Sequence, residues 1–147
     1  MSKILNTCRL EVKAFEEYQL NYYFAILQDN NIDADFNNAK EKFKEILASD
    51  KYYAITLKLT KKVIGYIYVN KKNKGSYEVG YLMSSAYQNS GYATEALDAV
   101  ATSLQEEGAD SIIGNFKKEN VKQFTLLSSL NIFSLKDLTK IYAFSKE

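Results

Sequence analysis

From Tyr77 the chain reads Tyr-Glu-Val-Gly-Tyr-Leu-Met, then Ser-Ser-Ala-Tyr-Gln-Asn-Ser-Gly, then Tyr-Ala-Thr-Glu-Ala-Leu, ending at Leu97. A strand therefore passes through a short polar loop straight into a helix, and the helix has to lie back on the sheet that the strand belongs to. The first N–H groups of a helix have no partner inside it and point outward with the positive end of its dipole, so this junction can bind an anion through backbone alone. Gly91 suits the turn because it lacks a Cβ and can take φ > 0, and the small Ala93 keeps the first helical turn uncrowded.

The rest of the chain alternates element types around that junction. Thr7 to Lys13 alternates apolar and polar residues, with Cys8, Leu10 and Val12 on one side, and is expected to be a strand. Phe15 to Gln28 is expected to be a helix with a broad apolar stripe. Phe36, Ala39, Phe43, Ile46 and Leu47 recur at helical spacing and predict a second helix, capped by Asp33 or Asp35. Tyr52 to Leu59 and Val63 to Val69 are rich in β-branched and aromatic residues, with a hairpin break at Thr60-Lys61-Lys62. Lys71 to Gly75 is expected to turn the chain into the Tyr77 to Met83 strand. Ala93, Ala96, Leu97, Val100 and Leu104 predict the helix after the junction, with Gly108 as its stop. Ser111 to Phe116 is a further strand, Asn120 to Leu130 a helix carrying Val121, Phe124, Leu127 and Leu130 on one side, and Thr139 to Ser145 a closing strand. The pattern is a mixed α/β sheet. No repeat, low-complexity segment or linker divides residues 1–147, so one domain is expected.

Composition removes whole classes of function. The 147 residues are 46% apolar, enough for a core. Nineteen Lys plus Arg against 18 Asp plus Glu leave a net charge of +1, which offers no general attraction for nucleic acid. Arg9 is the one arginine, so a phosphate site is expected to lean on backbone N–H groups and lysines rather than on guanidinium forks. Histidine is absent and Cys8 is the single cysteine, which removes zinc sites, disulfides and Ser/His or Cys/His couples. Cys8 is expected in a strand as a small hydrophobe. There is no 18-residue apolar run and no signal-peptide pattern at the N-terminus, so no membrane span is expected and a cytoplasmic location is the default.

The element order, with Gln88-Asn-Ser-Gly-Tyr-Ala93 at the central junction, resembles the GCN5-related N-acetyltransferases (GNAT) over nearly the whole chain, and within them the branch of ribosomal-protein N-terminal acetyltransferases. The resemblance implies a mainly antiparallel central sheet of about six or seven strands with about four helices, splayed at its central strands. It implies acetyl-CoA as co-substrate and no metal. The family's Gln/Arg-x-x-Gly-x-Gly/Ala signature, which wraps the pyrophosphate, falls on Gln88, Gly91 and Ala93, with the backbone of Asn89, Ser90, Tyr92 and Thr94 around it. Backbone amides near Leu82 and Met83 are expected to hold the pantetheine arm and polarise the thioester carbonyl. Asn120 matches the asparagine that opens a later helix beside the cofactor. Two positions depart from the family: Asn131-Ile132 replace a Gly-Phe pair, and Leu127 stands where many members carry a tyrosine that protonates the departing thiolate.

Acetyl transfer to an amine needs a fixed thioester, a neutral amine within reach and stabilisation of developing negative charge. Glu78 is the candidate for removing the amine proton, because strand alternation puts it on one face with Gly80 and Leu82. The bland alternative is that Glu78 orders a hydrogen-bond network. Glu95, in the first helical turn, is expected to complement the helix dipole only. Tyr77, Tyr81, Tyr87 and Tyr92 are expected mostly to pack, though a phenol could replace the missing acid. Ser84, Ser85, Ser128 and Ser129 have no histidine to activate them. The Lys71, Lys72, Lys74 cluster is expected on a solvated hairpin that could attract the 3′-phosphate of CoA, and Asp29, Asp33 and Asp35 near Tyr18, Tyr22 and Tyr23 could attract an amine. Acetyl transfer to a protein N-terminus, a small amine or amino acid, or an aminoglycoside-like compound is the leading reading, with a homodimer compatible. A CoA-binding sensor or scaffold without turnover is the alternative, motivated by Leu127, Asn131 and the lone arginine. An unrelated anion-binding α/β domain ranks third, because neither Gly-x-x-x-x-Gly-Lys-Ser/Thr nor Gly-x-Gly-x-x-Gly occurs.

Overall fold

The computed structural model describes residues 4–32, 35–73, 75–88 and 90–114, with Asn73, Ile113 and Gly114 described by backbone only. Among the described residues, six strands form one sheet in sequence order: β1 (Leu5–Asn6), β2 (Leu10–Ala14), β3 (Tyr52–Leu57), β4 (Val63–Asn73), β5 (Ser76–Met83) and β6 (Ser111–Gly114). Every neighbouring pair is antiparallel except β5 and β6, which run parallel. Among the described residues, three α-helices accompany them: α1 (Leu20–Asp29), α2 (Phe36–Ala48) and α3 (Tyr92–Glu106). None is long and apolar enough to cross a membrane. The mixed, mainly antiparallel α/β fold is as expected. The predicted helix over residues 120–130 and strand over 139–145 lie outside the described residues.

Side chains sort onto two faces because strand residues alternate. Leu10, Val12, Tyr53, Ile55, Ile67, Val69, Val79 and Met83 meet Ala96, Leu97, Val100, Ala101 and Leu104 of α3 in one core. Phe15, Ala54 and Val63 meet Tyr23, Ile26, Leu27, Ala39, Phe43 and Ile46 of α1 and α2 in a second core on the opposite face. The first core is mainly aliphatic at its centre and the second is rich in aromatic rings: Phe15 lies edge-on to Tyr23 and Phe43 at centroid separations of 6.1 and 5.4 Å.

Several boundaries differ from the sequence reading. Cys8 is exposed in the turn between β1 and β2, and the strand begins only at Leu10. The helix expected from Phe15 begins at Leu20, after a 3-10 turn over Glu17–Gln19, because the buried Gln19 accepts the Glu16 N–H (2.8 Å) and holds the chain out of the α-helix. Asp35 is the cap of α2, accepting from the Asn38 N–H at 2.7 Å. β3 stops at Leu57, since Lys61 takes φ 63° and the Leu57 N–H closes on the Lys62 carbonyl, which leaves Leu59 exposed. β4 runs to Asn73, so Lys71 and Lys72 are strand residues rather than turn residues. The register slips between Ile55 and Thr56, a bulge beside Gly65. A Cβ on Gly65 would lie 2.6 Å from the Leu82 carbonyl oxygen, so only glycine lets β4 approach the end of β5 this closely.

Candidate functional site

The end of β5, the loop after it and the first turn of α3 form the candidate site. Gly91 has φ 83° and ψ 0°, opens α3 as its N-cap, and no side chain caps the helix there. The first hydrogen bond into the helix runs from the Glu95 N–H to the Gly91 carbonyl, so the amides of Tyr92, Ala93 and Thr94 lie in the turn that has no acceptor within the helix. Asn89 and Asn120 lie outside the described residues.

The loop is braced from two sides. Met83 ends β5 with its carbonyl accepting from Asn30 Nδ2 (3.1 Å) and Gln88 Nε2 (3.2 Å), so the Gln88 side chain reaches back to the strand. Asp29, at the end of α1, accepts the Ser84 hydroxyl at 3.0 Å, the Ser85 hydroxyl at 2.7 Å and the Ser85 N–H. The Ser85 N–H and hydroxyl, then the Ser84 hydroxyl, hold the Asp29 carboxyl below its ordinary range. Its oxygens are thus engaged as a cap, which argues against the expected role in attracting an amine.

Arg9 braces the other side. Its Nε donates to Glu95 Oε1 at 2.8 Å, its N–H to Glu95 Oε2 at 3.0 Å and its Nη1 to the Ser90 carbonyl at 3.3 Å, while its guanidinium carbon sits 4.0 Å from the centroid of the Tyr92 ring. The Thr7 hydroxyl also donates to Glu95. Burial pushes the Glu95 carboxyl up, but the hydrogen bonds from Thr7 and Arg9 outweigh it and the net shift is downward. Glu95 therefore does more than complement the dipole. The sequence reading missed Arg9 at this loop because nothing local to residue 9 announces a contact with residues 90–95.

On β5 the ladder decides which amides are available. Ser84 N–H donates to the Ile64 carbonyl at 2.8 Å, and Tyr66 faces Leu82 in register, so antiparallel alternation also points the Leu82 N–H into β4. The amides of Tyr81 and Met83 lie on the opposite edge. There β6 pairs with Ser76–Val79, and among the described residues no strand covers Gly80–Met83.

Glu78, Gly80 and Leu82 share the face of α1 and α2, as alternation predicted. Glu78 is 5% exposed and its carboxylate lies 3.4 Å from Lys72 Nζ. Gly80 faces Tyr68 and Leu82 faces Tyr66, and Tyr52 packs on both tyrosines at 5.0 and 5.9 Å between centroids. This tyrosine ladder beside Glu78 was not singled out from sequence, although cross-strand pairing could have found it. Tyr77, Tyr81, Tyr87 and Tyr92 instead pack against the α3 core, as expected. Lys71, on β4, faces Tyr77 at the start of β5, roughly 20 Å along that strand from Met83 at its other end.

A sheet of this order, with a left-handed glycine between β5 and its covering helix, defines a mixed α/β fold with an anion-binding turn at the helix start. The chain belongs to the GNAT acetyltransferases: the family model described as acetyltransferase (GNAT) domain matches residues 9–131, most of its length. Solved structures agree on the fold. The GNAT-family acetyltransferase from Bacillus anthracis is 19% identical with a TM-score of 0.74, over 86% of this chain and 81% of that one. RimL, a ribosomal L7/L12 alpha-N-protein acetyltransferase, is 12% identical with a TM-score of 0.73, over 88% and 80%. The microcin C7 self-immunity acetyltransferase MccE, solved with acetyl-CoA and AMP, is 12% identical with a TM-score of 0.68, over 83% and 77%. A comparison with curated protein sequences finds no match.

Proposed function

We propose that this chain transfers the acetyl group of acetyl-CoA directly to a primary amine, on a protein N-terminus or a small molecule. The observation that carries the reading is the uncapped α3, opened by Gly91 in the left-handed conformation at the end of β5. The residues present fit the donor. The amides of Tyr92, Ala93 and Thr94, with Ser90, would hold the pyrophosphate, and the edge amides of Tyr81 and Met83 would hold the pantetheine arm. Leu82 and Gln88 would brace this edge rather than donate to the donor. When bound, acetyl-CoA supplies an activated thioester.

Glu78, roughly 10 Å along β5 from Tyr81, would accept the amine proton through water that bridges it to the acceptor amine. Its carboxylate is shared with Lys72, so the base role requires the acceptor amine to take over that contact. The tyrosines 52, 66 and 68 would border the acceptor. RimL, whose name specifies a ribosomal-protein N-terminus, favours a protein acceptor in this branch.

The test is thermal unfolding with acetyl-CoA against ADP at equal concentration. At ~100 times its dissociation constant a ligand of the folded state should stabilise by roughly 2.7 kcal/mol. An acetyl-CoA-selective shift that Gly91→Val abolishes supports the assignment, since a β-branched residue is strained at φ 83°. No shift sinks it. Selective binding with no turnover on a panel of amines would favour the CoA-binding module that Leu127 suggests.

A further inference from the structure

Glu95 is the acidic residue of the first turn of α3, where a carboxylate suits an isolated helix but opposes a second anion at the same end. Among the described residues, Arg9 and Thr7 answer that charge. Arg9 donates to both of its oxygens, through Nε at 2.8 Å and through the backbone N–H at 3.0 Å, and Thr7 adds its hydroxyl. The donors arrive from the β1–β2 turn, more than eighty residues away in sequence.

The same guanidinium also contacts Ser90 and Tyr92, on either side of Gly91. Nη1 donates to the Ser90 carbonyl, Nη2 lies 3.4 Å from where a Cβ on Gly91 would stand, and the cation covers the Tyr92 ring. In a trans peptide the C=O and the following N–H point opposite ways, so holding the Ser90 carbonyl toward Arg9 aims the Gly91 N–H away from it. A lysine has one compact ammonium and cannot pair side-on, reach a carbonyl and cover a ring together. The chain keeps its only arginine here.

We propose that Arg9, set by Thr7 and Glu95, is a positioning residue for acetyl-CoA: it neutralises Glu95 beside the phosphate loop and turns the Ser90–Gly91 peptide so that its N–H faces the donor. This rests on the loop being the pyrophosphate site. Arg9 acts through Glu95 and the loop backbone.

The experiment is calorimetric titration of acetyl-CoA into the full chain and into Arg9→Gln, Glu95→Gln and the double variant, each confirmed folded by circular dichroism. Arg9→Gln is expected to weaken binding roughly five- to thirtyfold, and adding Glu95→Gln to return affinity to within about threefold of the original, because the opposing charge is gone. Undiminished affinity in Arg9→Gln overturns the proposal. So does a folded double variant as weak as Arg9→Gln, since a merely structural clamp gains nothing from a second break. If Arg9→Gln does not fold, Arg9→Lys replaces it: a loss of roughly two- to fivefold supports the proposal, and unchanged affinity overturns it. Failure of the unaltered chain to bind acetyl-CoA defeats the donor assignment itself, a result distinguishable from failure of the Arg9 role alone.

Discussion

Single side chains in this protein are decided by what faces them across the sheet. Thr56, at the bulge of β3, is 2% exposed, and its hydroxyl finds no partner among the described residues. An unpaired buried hydroxyl costs about 1–3 kcal/mol, so Thr56→Val, which keeps the shape, is expected to leave stability unchanged or raise it by up to about 1 kcal/mol. Urea unfolding at constant m-value measures this. Glu78 lies on the same face, and its buried carboxylate beside Lys72 carries the base role in our reading. Glu78→Gln should then lower kcat about 10²-fold or more. Full turnover would leave Glu78 a structural role.

At the scale of elements, the junctions matter more than the strands and helices they connect. The end of α1 is tied to the end of β5 by Asn30 and to the following loop by Asp29, so a helix of one core positions a loop beside the other. Because hydrogen bonds hold the Asp29 carboxyl below its ordinary value, that tie is complete above the ordinary carboxylate range and is lost as pH falls through the lowered value. Asp29→Asn keeps the size and loses the charge. It is expected to lower Tm and to speed amide exchange at Ser85, measured at neutral pH, with smaller differences in acid. These ties escape sequence reading because Asp29 and Ser85 are 56 residues apart. The helices α2 and α3 were legible from their apolar spacing, whereas the start of α1 was not, since periodicity continues through Phe15 while Gln19 holds the backbone in a tighter turn.

For the whole molecule, one sheet separates a mainly aliphatic core under α3 from a core rich in aromatic rings under α1 and α2. The aromatic side has a pH consequence. Burial pushes the Tyr23 phenol up to about 12 and that of Tyr66 further still, from an ordinary value of 10.0. A group whose value rises on folding stabilises fully below its unfolded value and loses that contribution as pH climbs toward the folded one. Stability should hold to about pH 10 and fall between pH 10 and 12. Tyr66→Phe is expected to flatten that fall, measured as Tm from pH 8 to pH 11.5; an unchanged slope would contradict it.

Sequence alone determined what local chemistry controls: period-two and period-3.6 patterns, glycine at a left-handed turn, the exclusion of histidine-dependent couples, and the strand–loop–helix phrase that resembles the family. It placed Glu78, Gly80 and Leu82 on one face because alternation is a property of the strand itself. Tertiary structure decided which donors face the open edge of β5, because that depends on the phase of the ladder with β4. It also decided that Arg9 belongs to the loop at Ser90 and that Lys72 belongs to Glu78. The first contact spans 81 residues, and no local pattern records such a pairing: its partners meet only when the sheet is assembled and α3 is laid across it.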